Sequence, residues 1–211
     1  STSFVNVGFF LATIIHDVGI TIFFLVLNSH RLWMELEEAQ LELEQLATTD
    51  TLTGAMNRRK FFADGENEIR RAARMGSPLV LAMLDLDHFK DINDRHGHAA
   101  GDGVLKHVTD LCRKNLRQID LIGRIGGEEF VIIMPGTAMS GGMIMAERLR
   151  QMIAATPLKW EGVPIAITAS IGVAEYSPAD LDVEQLLQRA DTAMYQAKSA
   201  GRNRVAAATG K

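Results

Sequence analysis

The sequence predicts an α/β (α+β) domain over residues 50–211, built on a central mixed or antiparallel sheet surrounded by helices. Three observations carry this. Leu79 to Leu84 is an unbroken apolar run behind Gly76 and Pro78, short enough to be a strand buried on both faces. Leu121 to Met134 reads as strand, turn, strand, with Gly126-Gly127 at the bend, so part of the sheet is antiparallel. Helical spacing recurs between these runs, as in Val104, Leu105, Val108, Leu111 and Cys112.

Taken in order, the chain opens with an apolar segment, residues 1–29, whose only formal charge is Asp17. From Phe4 to Leu27, 17 of 24 residues are apolar. As a helix this run is roughly 36 Å long, enough for a hydrocarbon core of about 30 Å. A transmembrane helix is therefore expected, with a buried core helix as the other reading. A secretory signal is disfavoured because there is no basic start and no small-residue cleavage site. The missing initiator Met suggests the tail of a longer membrane protein. His16 and Asp17 would be costly against lipid, so they face sister helices, either as a ligand site or as a satisfied polar pair. His30 and Arg31 place the following chain on the cytoplasmic side of a bacterial inner membrane.

Residues 30–49 follow as a linker. Leu32, Leu36, Ala39, Leu43 and Leu46 are spaced 4, 3, 4, 3, an a/d seam flanked by glutamates. Two heptads suit a short coiled coil that pairs two copies; a helix docked on its own domain is the alternative. Thr48-Thr49-Asp50 favours a cap or turn.

Within residues 50–211 we expect a helix from about Arg58 to Arg74, the strand from Leu79, a helix over 101–116 and the hairpin 121–134. A helix from Met139 to Ala155, one long strand from Ile165 to Tyr176, a helix from Val183 to Ser199 and a short strand at Val205 complete it. There is no GxxxxGK[ST] and no GxGxxG after a strand, which excludes P-loop and dinucleotide-binding folds. Of 211 residues 47% are apolar and 23% charged, which excludes wholesale disorder, and the net charge of -4 disfavours a nucleic-acid partner. The single Cys112 makes no internal disulfide, and no Cys/His cluster suggests zinc.

Chemistry concentrates in two places. Asp85-Leu86-Asp87 ends the first strand, and carboxylates at a strand end are natural ligands for a hard divalent cation. Glu128-Glu129 follows the glycines of the hairpin; if the two strands are neighbours, Asp85 and Glu128 converge on one metal. Such a site is similar to those of polymerase palms and nucleotide cyclases, where a metal lowers the pKa of a ribose 3′-hydroxyl. A solvated strand end and an ordinary hairpin account for either pattern taken singly.

Gly126-Gly127-Glu128-Glu129-Phe130 resembles the signature of the GGDEF family of diguanylate cyclases, in its GGEEF variant. The resemblance covers about residues 48–208. It includes Asp50-x-Leu52-Thr53 with Asn57-Arg58-Arg59, Leu84 through Asp94, Gly97-His98 and Gly101-Asp102. It continues through Ala169 to Val173, Ala190-Asp191-x-Ala193-Met194-Tyr195-x-Ala197-Lys198 and Gly201-Arg202-Asn203. The resemblance implies a fold related to nucleotide cyclases and polymerase palms, and condensation of two GTP into cyclic di-GMP with release of two pyrophosphates. It implies Mg²⁺ (or Mn²⁺) held by Asp85, the carbonyl of Leu86 and Glu128, with Glu128 and Glu129 as the catalytic acids. Asn93 and Asp102 would recognise guanine, with His98 in contact with the substrate. The amides of His88, Phe89 and Lys90 would cradle phosphates, and Lys198 and Arg202 would clamp the β and γ phosphates. Each domain would hold one GTP, so two domains must meet as a homodimer. Arg117-Gln118-Ile119-Asp120, with five residues between it and Gly126, matches the family's inhibitory product site, with Arg148 as the secondary arginine. A degenerate module that only binds GTP or cyclic di-GMP is the other reading.

Overall fold

The computed structural model describes Leu25, residues 27–37 and residues 48–208. The chain divides into two compact units, Ser1–Leu46 and Ala47–Lys211. In the first, residues 27–37 form a helix, α1, steadied by an exposed i,i+4 ion pair between Arg31 and Glu35 at 2.8 Å. The seam residues Leu32 and Leu36 are exposed; Ala39, Leu43 and Leu46 lie outside the described residues. So do His16, Asp17 and almost all of the expected membrane span. Among the described residues no helix is long and apolar enough to cross a membrane.

The second unit is a six-stranded sheet between two layers of helices. Its strands are β1 (Met56–Asn57), β2 (Leu79–Leu86), β3 (Leu121–Gly126), β4 (Glu129–Pro135), β7 (Ala169–Glu175) and β8 (Val205–Ala207), in the order β1-β3-β4-β2-β7-β8. The two outermost pairings, β1 with β3 and β7 with β8, are parallel and the rest antiparallel. β2 is therefore central, and every residue in it is buried. Its side chains alternate. Val80, Ala82, Leu84 and Leu86 join a core with α3 (Phe89–His96), α4 (His98–Asn115) and α5 (Met139–Ala155). Leu79, Leu81 and Met83 join a core with α2 (Arg58–Met75) and α6 (Val183–Ser199). The same alternation assigns Asp85 to the α2/α6 face.

Local chemistry sets the helix ends. The Asn57 side chain accepts from Lys60 N at 3.0 Å to cap α2, and Gly76 closes it in the left-handed region at φ 62°. Asp182 caps α6 by accepting from Gln185 N at 2.8 Å. Where α6 crosses β7, a Cβ on Gly172 would overlap the backbone of Ala190 and Met194, so that crossing is backbone against backbone.

Three expectations are corrected. The long strand from Ile165 to Tyr176 is interrupted. β6 (Val163–Ile165) pairs with β5 (Leu158–Trp160) in a separate hairpin, and β7 begins at Ala169. Between them Thr168 is drawn to Asp87, its carbonyl accepting from Asp87 N at 2.9 Å and its hydroxyl donating to Asp87 Oδ2 at 2.8 Å. The stretch after Asp87, where the sequence reading placed no helix, forms α3, anchored by only two buried residues, Phe89 and Ile92. The turn between β3 and β4 also sits one residue later than read, at Gly127-Glu128, with Gly126 still in β3.

Candidate active site

Asp85 is the penultimate residue of β2, opposite Glu129 of β4 on one side and Ser170 of β7 on the other. Its side chain is 7% exposed and its Oδ2 lies 2.7 Å from the Lys198 ammonium in the last turn of α6. Burial pushes the Asp85 carboxyl up; Lys198 opposes this, and the charges of Glu128 and Glu129 reinforce it. Three acids thus share one field at the end of the central strand, and a single lysine offsets it.

Glu128 is half-buried in the turn, and its carbonyl accepts from Leu86 N at 3.4 Å, so the turn docks on β2 one residue beyond Asp85. A Cβ on Gly126 would crowd Glu129 Oε2, whereas one on Gly127 would meet nothing. Asp87 points to other work than Asp85. It is 4% exposed and accepts from Ser170 Oγ at 2.7 Å, Thr168 Oγ1 at 2.8 Å and Asn203 N at 3.0 Å. Those bonds fasten β2 to β7 and to the loop after α6, so the pair of strand-end carboxylates read from the sequence separates into one site acid and one scaffold acid.

Two further residue groups flank this end of the sheet. His88, at φ 58°, turns the chain into α3; His88 and Lys90 are exposed, and Phe89 is buried. Amides at a helix start lack internal partners and suit anionic ligands. α3 and α4 meet at Gly97, with φ 81°, whose N–H donates to Asn93 O at 2.8 Å. A Cβ on Gly101 would overlap Asn93 Oδ1, so the glycine seats Asn93 one residue from Asp102. Asp102 and His98 are exposed at the start of α4. Arg202 follows α6 in the left-handed loop at φ 61°, exposed, its N–H bonded to Ala197 O at 3.1 Å.

Asp85, Glu128 and the Leu86 carbonyl are hard oxygen donors. They fit a small divalent cation that keeps water and phosphate oxygens as its other ligands. Among the described residues no group of three or more His, Cys, Asp or Glu forms a protein-only metal cage.

The family model for the diguanylate cyclase GGDEF domain matches residues 47–204. The chain belongs to the GGDEF family of diguanylate cyclases. Diguanylate cyclase DgcP of Pseudomonas aeruginosa is 48% identical over 161 residues, covering 76% of this chain and 24% of DgcP. Response regulator PleD of Caulobacter vibrioides is 42% identical over 163 residues, covering 76% of this chain and 36% of PleD. The chain thus spans about a quarter of one of these relatives and about a third of the other. Among solved structures, the coiled coil and GGDEF domain of DgcB from Caulobacter crescentus, in complex with c-di-GMP, superposes with a TM-score of 0.80 at 34% identity. The match covers 87% of this chain and 97% of that one.

In this GGDEF domain the Arg117 and Asp120 pair is internally closed. Asp120 is buried, and it accepts from Arg117 N and Nη2, both at 2.8 Å. Arg117 Nη2 also donates to Thr137 Oγ1 at 2.8 Å and Pro135 O at 3.2 Å. A cavity of about 390 Å³ opens beside the pair, lined by Gly54, Met56, Arg113 and Ile122. Arg148 is not on this pair; its Nη2 donates to Asn115 O at 2.7 Å. Sequence reasoning gave no role to Arg124, a lone charge inside β3, which bridges Asp50 and the signature turn. Asp50 stood in a quoted motif without a function. Burial pulls its carboxyl up, but hydrogen bonds from Thr53 and Arg124 more than offset this and hold it below its ordinary value.

Proposed function

We propose that this GGDEF domain condenses two GTP into cyclic di-GMP and two pyrophosphates, with two copies of the chain facing each other. The observation that carries the reading is Asp85, buried at the end of the central strand, with Glu128 and Glu129 in its field and Lys198 against it. In each half-reaction a 3′-oxygen attacks the α-phosphorus of the opposing nucleotide. The new O–P bond forms as the α–β bridge breaks, pyrophosphate leaves, and Glu128 takes the hydroxyl proton. Mg²⁺ or Mn²⁺, held by Asp85, Glu128 and the Leu86 carbonyl, would acidify the hydroxyl and offset phosphate charge. Lys198 would pass from Asp85 to the β and γ phosphates, joined by Arg202, while the amides of His88, Phe89 and Lys90 hold the remaining oxygens. Asp102 accepts from guanine N1–H and N2–H₂, Asn93 pairs with an acceptor edge, and His98 contacts the substrate; adenine leaves Asn93 and Asp102 unpaired.

The a/d seam of residues 30–49 supports a parallel coil that raises the local concentration of the two domains. The apolar run Phe4–Leu27 supports an anchor in the bacterial inner membrane, with the GGDEF domain in the cytoplasm. The test is the full chain in lipid nanodiscs with GTP and Mg²⁺, nucleotides separated by chromatography. Cyclic di-GMP with two pyrophosphates is expected, and none of the adenine analogue from ATP. GTP binding without product at any protein concentration overturns the reading in favour of a binding module.

Product inhibition belongs to the same proposal. Arg117 would open its bonds to Asp120 and Thr137 to hold a product phosphate or guanine edge, with Arg148 assisting. Arg117→Ala should raise the product concentration for half-inhibition about 10- to 100-fold, the worth of a charge-assisted pair of hydrogen bonds. An unchanged inhibition curve would remove Arg117 from that role.

A further inference from the structure

The Arg124 guanidinium joins two parts of the domain that are distant in sequence. Nη1 donates to both carboxylate oxygens of Asp50 at 3.1 Å, while Nε and Nη2 donate to the Gly127 carbonyl at 2.9 and 2.7 Å. The side chain is only 16% exposed, and Asp50 23%, so the Asp50 end of the bridge is partly shielded from water, while the Gly127 end lies at the surface. Its Asp50 end is a closed loop. Asp50 N donates to Ala55 O at 2.8 Å, Gly54 N to Asp50 O at 2.7 Å, and the Thr53 hydroxyl and amide to Asp50 Oδ1 at 2.6 and 2.9 Å. That loop is where the chain enters the domain from the linker. Its other end is the peptide immediately before Glu128. The peptide immediately after Glu128 is already held by Leu86 N. Glu128 therefore sits between two anchored carbonyls, one fixed by the strand of Asp85 and one fixed by Arg124.

We infer that Arg124 is a positioning residue for Glu128: it fixes the turn that presents this carboxylate beside Asp85, and makes that fix depend on the loop where the linker arrives. Arginine suits the task because its planar fork serves two acceptors in fixed directions. Lysine keeps the charge but satisfies only one end. The inference rests on the cyclase reading of the site.

The experiment compares Arg124→Lys, Arg124→Gln, Asp50→Asn and the Arg124→Gln/Asp50→Asn double variant in the full chain. It measures kcat and KM for GTP, binding of a non-hydrolysable GTP analogue, and thermal melting. A misplaced carboxylate predicts kcat lower by about 10- to 100-fold in both Arg124 variants. KM and analogue affinity should stay within about threefold, since the guanine and phosphate contacts are elsewhere. Asp50→Asn should lower kcat less, and the double variant should be no worse than Arg124→Gln, the signature of one shared bridge. Arg124→Lys should melt near the wild type yet remain slow. Wild-type kcat in Arg124→Lys, a loss that follows only the folded fraction, or additive effects of the two sites would each overturn the inference. A wild-type chain that makes no cyclic di-GMP would overturn the cyclase reading instead.

Discussion

On the proposed function, Glu128→Gln should lower cyclic di-GMP synthesis by about 10³-fold, the loss expected when a proton acceptor that is also a metal ligand is neutralised. The substitution is nearly isosteric, and the two backbone anchors of the turn do not involve the side chain, so the fold should persist. It also removes one of the two charges that push the Asp85 carboxyl up. The fall should therefore appear in kcat, not in stability. Initial rates at saturating GTP, beside thermal melts and analogue binding, decide the matter. A rate within tenfold of the wild type would take the proton-accepting role from Glu128. Glu129→Gln is the informative neighbour. Glu129 lies in β4 directly opposite Asp85 and enters the same field, but it follows the docked turn instead of forming it.

Gly172→Val should cost about 4 kcal/mol of stability, near the upper end for single substitutions. The cause is geometric: a Cβ there meets the Ala190 carbonyl and the Met194 amide, so no rotamer change relieves it and α6 must lift from β7. For a domain of this size the melting temperature should fall by about 8–16 °C. Because α6 carries Lys198 against Asp85, the surviving folded fraction should also bind the GTP analogue weakly. Gly127→Ala is the control, since a Cβ at that site meets nothing and stability should change by less than about 0.5 kcal/mol. Urea melts in which Gly172→Val loses under 1 kcal/mol would show that the helix–strand crossing is softer than drawn.

The contrast between those two glycines shows where sequence reading stops. Gly126-Gly127 stood out as a turn, yet neither takes a positive φ. Gly172 gave no local signal, because what forbids a side chain there is a helix formed later in the chain. β2 was legible because six consecutive apolar residues behind Gly76 and Pro78 are too short for a core helix and suit a strand buried on both faces. The interruption between β6 and β7 was not, since Ile165 to Tyr176 keeps its β-branched character through the break. Its cause is Asp87, far away in sequence, claiming the Thr168 hydroxyl. α3 was hidden because only Phe89 and Ile92 mark its buried side. At the site, Asp85 and the signature turn could be named from their motifs. The Lys198 contact and the Arg124 bridge depend on the order in which strands and helices stack, which no spacing along the chain encodes.

The sheet's two outermost strands, β1 with two residues and β8 with three, bear on the proposed chemistry, in which two copies meet in apposition. A long bare margin would invite one copy to zip onto the next through main-chain hydrogen bonds. Here each margin offers too few free amides and carbonyls to template a neighbour. Two copies paired as proposed could then collide repeatedly and separate again without seeding an aggregate. Turnover by the proposed pair would need that reversibility as much as it needs the acids.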